Sequence, residues 1–322
     1  MNHRSPEFIR LSKKTIKLLK NRLDIPANYT VFFTSSATEC WEIIAQSLIV
    51  DESMHIFNGA FGEKWYDYTK RLRPKAQSTQ FDLNKLPNLR SLSASNAEVI
   101  CLTQNETSNG TQVPNETIVA IKKLYPKKLI AVDATSSMGG VYLNFKNGDI
   151  WFASVQKCFG LPAGLAVMIC SPQAMKQARK INEQTHYNSL SAMDKMMAHW
   201  QTTYTPNVLG IYLFSRMLEK MGDITKVAKK IVRRHNEWLA FFCDSDKLKP
   251  LAFNTNVLSK TVIAIKGNPD LIKKLKSNAR KKGLLLGEGY GNLKAETFRI
   301  ANFPAIRKKD ILRLMNLLKE YK

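Results

Sequence analysis

The sequence has no apolar run approaching the roughly 18 residues that a membrane-spanning helix needs, so it predicts no membrane span. Residues 1–10 are polar and contain no apolar stretch of the kind that a secretory signal peptide carries. The five cysteines are scattered without metal-ligand spacing, and Cys101 and Cys170 fall within apolar runs, as small core residues do. These features predict a cytoplasmic protein with reduced thiols and no metal centre.

Acidic residues are also scarce: 26 acids stand against 49 lysines and arginines, which gives a net charge of +23 and a pI of about 9.8. Such a positive field attracts nucleic acids or small anionic substrates. The basic residues cluster on the polar sides of amphipathic stretches, around 13–20, 122–128, 229–234 and 273–282, without a nucleic-acid-binding motif beside them. We therefore favour solvated helix faces over a nucleic-acid partner.

The stretch 129–164 contains two short apolar runs that each lead to a residue with useful chemistry. Residues 129–132 end at Asp133, and residues 150–153 lead through Ser154 to Lys157. Short apolar runs that close on turn residues are typical of buried parallel strands. We therefore expect Asp133 and Lys157 at the carboxyl ends of neighbouring strands, where α/β sheets hold their ligands.

An acid and a lysine in that position suit pyridoxal phosphate. The lysine amine can form a Schiff base with the cofactor's aldehyde, and the carboxylate can keep its ring nitrogen protonated. An unperturbed lysine has a pKa of about 10.4 and is a poor nucleophile at neutral pH, so the site would have to lower it. Taken alone, however, Lys157 is as well explained as a solvated loop residue and Asp133 as a turn residue or helix cap.

Five motifs in order along the chain resemble those of the class V aminotransferases of fold type I, and most closely the phosphoserine aminotransferases. They are His3-Arg4 with Glu7-Phe8, residues 31–42 (VFFTSSATECWE), residues 105–110 (NETSNG), residues 133–137 (DATSS), and Gln156-Lys157 with residues 160–164 (GLPAG). Five linked motifs are far more specific than any one of them. The resemblance extends over nearly the whole chain.

The resemblance implies an α/β fold of the fold-type I pyridoxal-phosphate transferases. A large cofactor-binding domain, with a mostly parallel central sheet flanked by helices, is expected over residues 1–205. A linking helix and a smaller α+β C-terminal domain are expected over residues 206–322. The resemblance also implies a homodimer, because Thr205 matches an element that reaches the cofactor phosphate of the neighbouring subunit.

The resemblance assigns roles around the cofactor. Lys157 is the implied catalytic residue, which holds pyridoxal phosphate and then moves the proton. Asp133 supports the ring nitrogen, Phe61 stacks on the ring and Thr107 contacts the region of the 3-oxygen. The implied phosphate turn is residues 37–39, with Glu39 contributing its backbone N–H. The full set of implied cofactor-binding residues is Ala37, Thr38, Glu39, Phe61, Thr107, Asp133, Ser136, Gln156, Lys157 and Thr205.

Three further residues are implied to bind a small amino or keto acid, such as glutamate or phosphoserine. Arg299 is expected to hold the α-carboxylate, because arginine suits bidentate carboxylate binding. His3 and Arg4 match a pair that contacts the distal anionic group. Relatives carry a further segment ahead of this pair and a second His-Arg pair where this chain has residues 287–290. Both departures lead us to expect an altered substrate pocket.

The function that the sequence predicts is phosphoserine:2-oxoglutarate transamination in serine biosynthesis. Another class V activity, on serine or alanine with glyoxylate, stays open because of the missing second His-Arg pair. A shortened, non-catalytic relative also stays open. A cysteine desulfurase is disfavoured because Gln156, and not a histidine, precedes Lys157, and because Cys243 falls in an apolar helical stretch.

Overall fold

The computed structural model describes residues 2–322 of the chain. The strands are β1 (Thr30–Thr34), β2 (Ser53–Phe57), β3 (Gln77–Gln80), β4 (Val99–Thr103), β5 (Asn105–Glu106), β6 (Thr111–Gln112), β7 (Leu129–Asp133), β8 (Ile150–Ser154), β9 (Ala166–Cys170), β10 (Lys249–Pro250), β11 (Val262–Lys266), β12 (Gly287–Glu288) and β13 (Thr297–Ala301). The helices are α1 (Pro6–Leu23), α2 (Ala37–Ser47), α3 (Ala60–Leu72), α4 (Asn115–Leu124), α5 (Pro172–Ile181), α6 (Leu190–Met197), α7 (Val208–Lys220), α8 (Ile224–Cys243), α9 (Pro269–Lys281) and α10 (Lys308–Leu318). None of the helices in the described residues is both long and apolar enough to cross a membrane.

A seven-stranded sheet in the order β1-β9-β8-β7-β4-β2-β3 forms the first layer of the fold. Its pairs β8–β7, β7–β4, β4–β2 and β2–β3 are parallel, and β9 is antiparallel to both of its neighbours. Every residue of β4, β7 and β8 is buried. Because successive side chains of a strand point to opposite faces, helices and loops must cover both faces of the sheet.

The carboxyl ends of the central parallel strands bring polar side chains to one edge of this sheet. Thr103 ends β4, and it is paired in register with Asp133 at the end of β7. Ser154 ends β8, next to β7. The predicted strands around Asp133 and before Lys157 are therefore confirmed, and so is the expectation that they are neighbours.

A second, antiparallel sheet in the order β10-β11-β13-β12 has its own core, built around Trp238, Phe242, Ile265 and Phe298. By contrast, the buried face of α7 (Ile211, Phe214 and Leu218) belongs to the core of the first sheet.

One local expectation is corrected by the structure: the apolar triplet of leucines at 284–286 predicts a strand. The triplet 284–286 is not a strand: Leu285 is 81% exposed, and the pairing begins only at Gly287, opposite Arg299. The stretch 182–205, which the sequence predicts to be rich in loops, contains one helix, α6. This helix forms because the Ser189 side chain caps its first turn and Leu190, Met193 and Met197 recur on one buried face.

Candidate active site

A cavity of about 240 Å³ lies at the carboxyl edge of the seven-stranded sheet. Seven of the predicted site residues line it: Ala37, Thr38, Phe61, Thr107, Asp133, Gln156 and Lys157. A larger cavity of about 510 Å³ lies between α7, α8 and the loop that follows Lys157, but its walls contain none of the predicted site residues. We therefore take the smaller cavity as the candidate active site, because the reactive groups converge there.

Lys157 reaches this cavity from the turn after β8. Its side chain is partly buried, and its ammonium lies 5.8 Å from the centroid of the Phe61 ring. Burial lowers the pKa of Lys157, and the positive charge of Arg299 lowers it further, against the opposing charge of Asp133. A lowered pKa increases the fraction of neutral, nucleophilic amine at neutral pH.

Asp133 is the acid of the site, and its side chain is almost fully buried at the end of β7. One carboxylate oxygen accepts a hydrogen bond from the backbone N–H of Thr135 at 2.9 Å. Burial raises the pKa of Asp133, whereas the hydrogen bond from the Thr135 backbone and the charge of Lys157 oppose that rise. A carboxylate held in this way suits a cationic or protonated partner inside the cavity.

Phe61 is positioned by a buried carboxylate that the sequence did not single out for this task. The carboxylate of Glu106 accepts hydrogen bonds from the backbone N–H groups of Phe61 and Gly62 at 3.2 and 3.1 Å. It also accepts from the N–H and hydroxyl of Ser108. The N-cap residue of α3 is Gly59, which has no side chain to accept a hydrogen bond from the first turn. The carboxylate of Glu106 accepts those hydrogen bonds instead and so caps the helix.

Thr107 and Ser136 meet through their hydroxyl groups, although only Thr107 lines the cavity. Ser136 is fully buried and stands behind Thr107. Asn105 donates its side-chain N–H to Thr261 Oγ1 at 2.9 Å and thereby ties this wall to the segment that leads into β11. Ser136 is therefore placed to orient the Thr107 hydroxyl, and it does not itself line the cavity.

The predicted anion turn at the start of α2 is present, but part of its donor set is engaged within the chain. The N–H of Ala37 donates to Ser154 Oγ at 2.8 Å, and the N–H of Glu39 donates to Ser36 Oγ at 3.1 Å. Thr38 is exposed on the cavity wall. The Glu39 carboxylate turns away and accepts hydrogen bonds from Ser35, Tyr187 and Asn188.

Arg299 lies next to the cavity on β13 and is partly buried. Its Nε donates to the Glu288 carbonyl at 2.7 Å, and its Nη1 donates to the Thr107 carbonyl at 2.9 Å. Burial lowers the pKa of Arg299, and the charges of Glu106 and Glu288 oppose this. Two backbone carbonyls thus orient the guanidinium and leave its remaining N–H groups for a ligand.

Three predicted residues do not lie at this cavity in the single chain. Arg4 is exposed and donates from Nη1 to Gln201 Oε1 at 2.6 Å, and His3 precedes it. Thr205 is also exposed, four residues beyond Gln201. His3, Arg4 and Thr205 are thus absent from the residues that line the cavity.

Several cavity residues were missed from the sequence. They are Trp41, Lys64, Tyr68, Thr103, Asn105, Thr135 and Ser154. Thr103 and Ser154 could have been found, because polar residues that end parallel strands collect at this edge. Trp41, Lys64 and Tyr68 lie on helices, where the period predicts a face but not which residue reaches the cavity.

The walls fit pyridoxal phosphate on an observation independent of the motifs. The side-chain oxygens Thr103 Oγ1, Asn105 Oδ1 and Thr135 Oγ1 are buried at the cavity and have no hydrogen-bond partner within the described residues. Buried polar groups normally have partners, so three unpaired oxygens on residues that line the cavity favour a polar ligand there. Phe61 and Trp41 add aromatic faces for a planar ring.

Comparison with known proteins agrees with this chemistry. Residues 1–262 match the family model described as aminotransferase class-V. A phosphoserine aminotransferase of Corynebacterium glutamicum is 26% identical, over 97% of this chain and 85% of its own length. A serine–glyoxylate aminotransferase of Arabidopsis thaliana is 23% identical over 97% of this chain and 82% of its own length.

A crystal structure of a phosphoserine aminotransferase from Cytophaga hutchinsonii is similar over 99% of this chain and 90% of its own, with 31% identity and a TM-score of 0.93. An aspartate aminotransferase from Thermus thermophilus shares the fold, with a TM-score of 0.89 at 18% identity over 100% of this chain and 92% of its own. The α/β fold of the fold-type I transferases is therefore confirmed. The chain belongs to the class V aminotransferases, a family of pyridoxal-phosphate-dependent transferases.

Proposed function

We propose that this enzyme transfers an amino group from glutamate to 3-phosphohydroxypyruvate, which yields phosphoserine and 2-oxoglutarate, as a step of serine biosynthesis. The observation that carries the aminotransferase chemistry is the convergence of Lys157, Asp133 and Phe61 on one cavity with Arg299 beside it. The choice of substrate is supported by the curated phosphoserine aminotransferases to which the chain is similar over most of its length.

When bound, pyridoxal phosphate supplies an aldehyde for the amino group and a ring that accepts electrons. Asp133 would face the ring nitrogen, Phe61 the ring, and Thr107, oriented by Ser136, the 3-oxygen. The start of α2, at Ala37, Thr38 and the Glu39 backbone, would hold the phosphate, because a helix N-terminus favours anions. Gln156 would border the cofactor beside Lys157.

The chain's own residues then account for the remaining chemistry. Arg299 binds the α-carboxylate of the substrate with the N–H groups that the two carbonyls leave open. The neutral amine of Lys157, favoured by its lowered pKa, removes the proton from the substrate α-carbon and later returns one. The partly closed cavity limits the access of water to that proton.

We further propose a cytoplasmic homodimer with a large domain over residues 1–205 and a smaller unit over residues 206–322. Two separate cores support a division into two units, and the linking helix α7 packs into the first of them. The exposed positions of Arg4 and Thr205 support the dimer, because both lie outside this chain's cavity and are accessible to a neighbouring chain. Sedimentation analysis of the holoenzyme should give two chains per particle, and a strictly monomeric, fully loaded enzyme would contradict the dimer.

A second candidate is transamination between serine or alanine and glyoxylate. It is favoured by the loop beside Arg299, where residues 287–290 carry Glu288 and Tyr290 and no cation. The Glu288 carboxylate forms an ion pair with the ammonium of Lys276, at 2.8 Å, so the charge of this acid is already paired within the chain.

Two measurements test these proposals together. The reconstituted protein should absorb visible light, and borohydride should attach the cofactor to the peptide that contains Lys157. A label on another lysine, or a colourless protein, would refute the assigned site. Rates with glutamate and 3-phosphohydroxypyruvate, compared with serine or alanine and glyoxylate, then decide between the two substrate classes.

A further inference from the structure

Lys64 lies on α3, one turn after Phe61, and lines the same cavity as Lys157 and Asp133. Its ammonium donates a hydrogen bond to the Tyr290 hydroxyl at 3.3 Å. Within residues 2–322 it forms no salt bridge. A lysine at the wall of a reactive cavity is thus paired with a phenol and not with a carboxylate.

Tyr290 lies beside the cavity and contacts two of its lining residues, Phe61 and Lys64. Its ring packs against Phe61, with centroids 5.2 Å apart and planes tilted by 42°. It lies in the loop between β12 and β13, two residues after Glu288, whose carbonyl orients Arg299. This short loop therefore carries Tyr290 and also supplies the carbonyl that orients the guanidinium of Arg299.

The hydrogen-bonding capacity of the pair selects for an anion. An ammonium has three N–H donors and no acceptor, and only one of them is used on Tyr290. The phenol accepts that bond and still has its own O–H to donate. Lys64 is exposed at the cavity wall, so the pair offers two N–H groups and one O–H group to a ligand there.

We propose that Lys64 and Tyr290 form a subsite for the distal anionic group of the substrate, the side-chain carboxylate of a dicarboxylic amino acid or the phosphate of a phosphorylated one. This inference rests on the proposed function, in which Arg299 holds the α-carboxylate. The loop 287–290 carries no cation, and in this proposal Lys64 of α3 supplies one beside it. Lys64 is then a specificity-determining residue.

The test uses the reconstituted holoenzyme and single-turnover reactions with glutamate, phosphoserine and alanine, followed by the change in the visible spectrum. The variants are Lys64→Met, which keeps the length of the side chain, and Tyr290→Phe, which keeps the ring against Phe61. The matched control is Lys70→Met, since Lys70 on the same helix donates to Tyr66 at 2.9 Å on the exposed surface.

In Lys64→Met we expect kcat/KM for an anionic substrate to fall by about 10- to 100-fold, the value of a hydrogen bond to a charged group, while alanine changes by less than about 2-fold. The loss should lie in KM. Tyr290→Phe should give a smaller loss of the same selectivity, and Lys70→Met should give none. A loss restricted to glutamate assigns a carboxylate to the subsite, and a loss restricted to phosphoserine assigns a phosphate.

A binding measurement separates recognition from chemistry. Glutarate, a dicarboxylate without an amino group, should bind the wild-type holoenzyme more tightly than butyrate in calorimetry, and Lys64→Met should remove that difference. An equal loss for all three amino acids, or no loss beyond that of Lys70→Met, overturns the subsite while the aminotransferase assignment stands. If the wild-type holoenzyme reacts with none of the amino acids, the proposed function falls and the subsite falls with it.

Discussion

Replacing Glu106 by alanine should destabilise the protein and disturb the cofactor site at the same time. The carboxylate accepts four hydrogen bonds: from the N–H and hydroxyl of Ser108, at 2.9 and 2.6 Å, and from the N–H groups of Phe61 and Gly62. In Glu106→Ala the two N–H groups of the first turn of α3 lose their acceptor. Each such buried donor costs about 1–3 kcal/mol when left unpaired.

The burial of the carboxylate itself reduces this effect. Burial raises the pKa of Glu106, which means that the ionised group is held at a cost, and alanine removes that cost. We therefore expect a net loss of about 2–4 kcal/mol in the free energy of unfolding. The assay is urea unfolding followed by tryptophan fluorescence, since Trp65 on α3 is fully buried and reports the packing of this helix.

The control is Glu63→Ala, because Glu63 is exposed in the first turn of the same helix. It interacts with the helix dipole alone and should cost less than about 1 kcal/mol. If Glu106→Ala costs no more than Glu63→Ala, the capping role of Glu106 is wrong. If it costs stability but leaves cofactor affinity unchanged, the positioning of Phe61 by Glu106 does not matter to the site.

Three further predictions concern the same region. Arg299→Gln should raise the pKa of Lys157, because it removes a like charge, and Asp133→Asn should lower that pKa further, because it removes an opposite charge. Amine labelling of Lys157 as a function of pH in the cofactor-free protein measures both shifts. Shifts of equal sign would refute the electrostatic account. Burial raises the pKa of Glu106, so the folded protein binds this proton more tightly than the unfolded chain does. The contribution of Glu106 to the unfolding free energy should therefore fall as pH rises from about 4.3 through the raised folded pKa. Urea titrations of Glu106→Gln should lack that slope, and a slope common to both proteins would count against this prediction. Gly59→Ala should cost about 1–3 kcal/mol, because a Cβ there would meet Glu106 Cγ at 2.4 Å, whereas Gly222→Ala, which meets nothing within 4 Å, should be close to neutral in the same assay.

The part of the site that could be predicted from the sequence is the part that strand ends determine. Asp133 and the lysine after β8 follow apolar runs, and parallel strands bring such residues to one edge whatever else the chain does. The site role of Phe61 was inferred from resemblance alone. Its position depends on Glu106, which lies 45 residues away in sequence, so no local pattern reports it.

Residues whose position depends on long-range packing could not be predicted. Arg4 contacts Gln201 across a separation of 197 residues, so nothing near Arg4 in the sequence indicates that it lies outside this cavity. Tyr290 reaches Phe61 because Gly289 allows a tight approach of its loop: a Cβ there would meet Thr297 Oγ1 at 2.2 Å. The glycine-rich pattern of residues 287–291 predicts a turn, but not which aromatic ring the turn will place against the cavity.

Thr107 is one of the residues that link the two sheets at the site, and this link has a consequence for specificity. The Thr107 side chain faces the cavity and bonds to Ser136, while its backbone carbonyl accepts the hydrogen bond of Arg299 at 2.9 Å. The residue that we propose to face the cofactor ring therefore also orients the guanidinium that we propose for the substrate carboxylate. In that proposal, a change in the second sheet that moves Arg299 should also move the substrate relative to the ring. In the proposed distal subsite, by contrast, Lys64 is joined to Tyr290 through side chains alone. Substrate range should thus change by substitution at Lys64 or Tyr290 without loss of the proton-transfer geometry at Lys157.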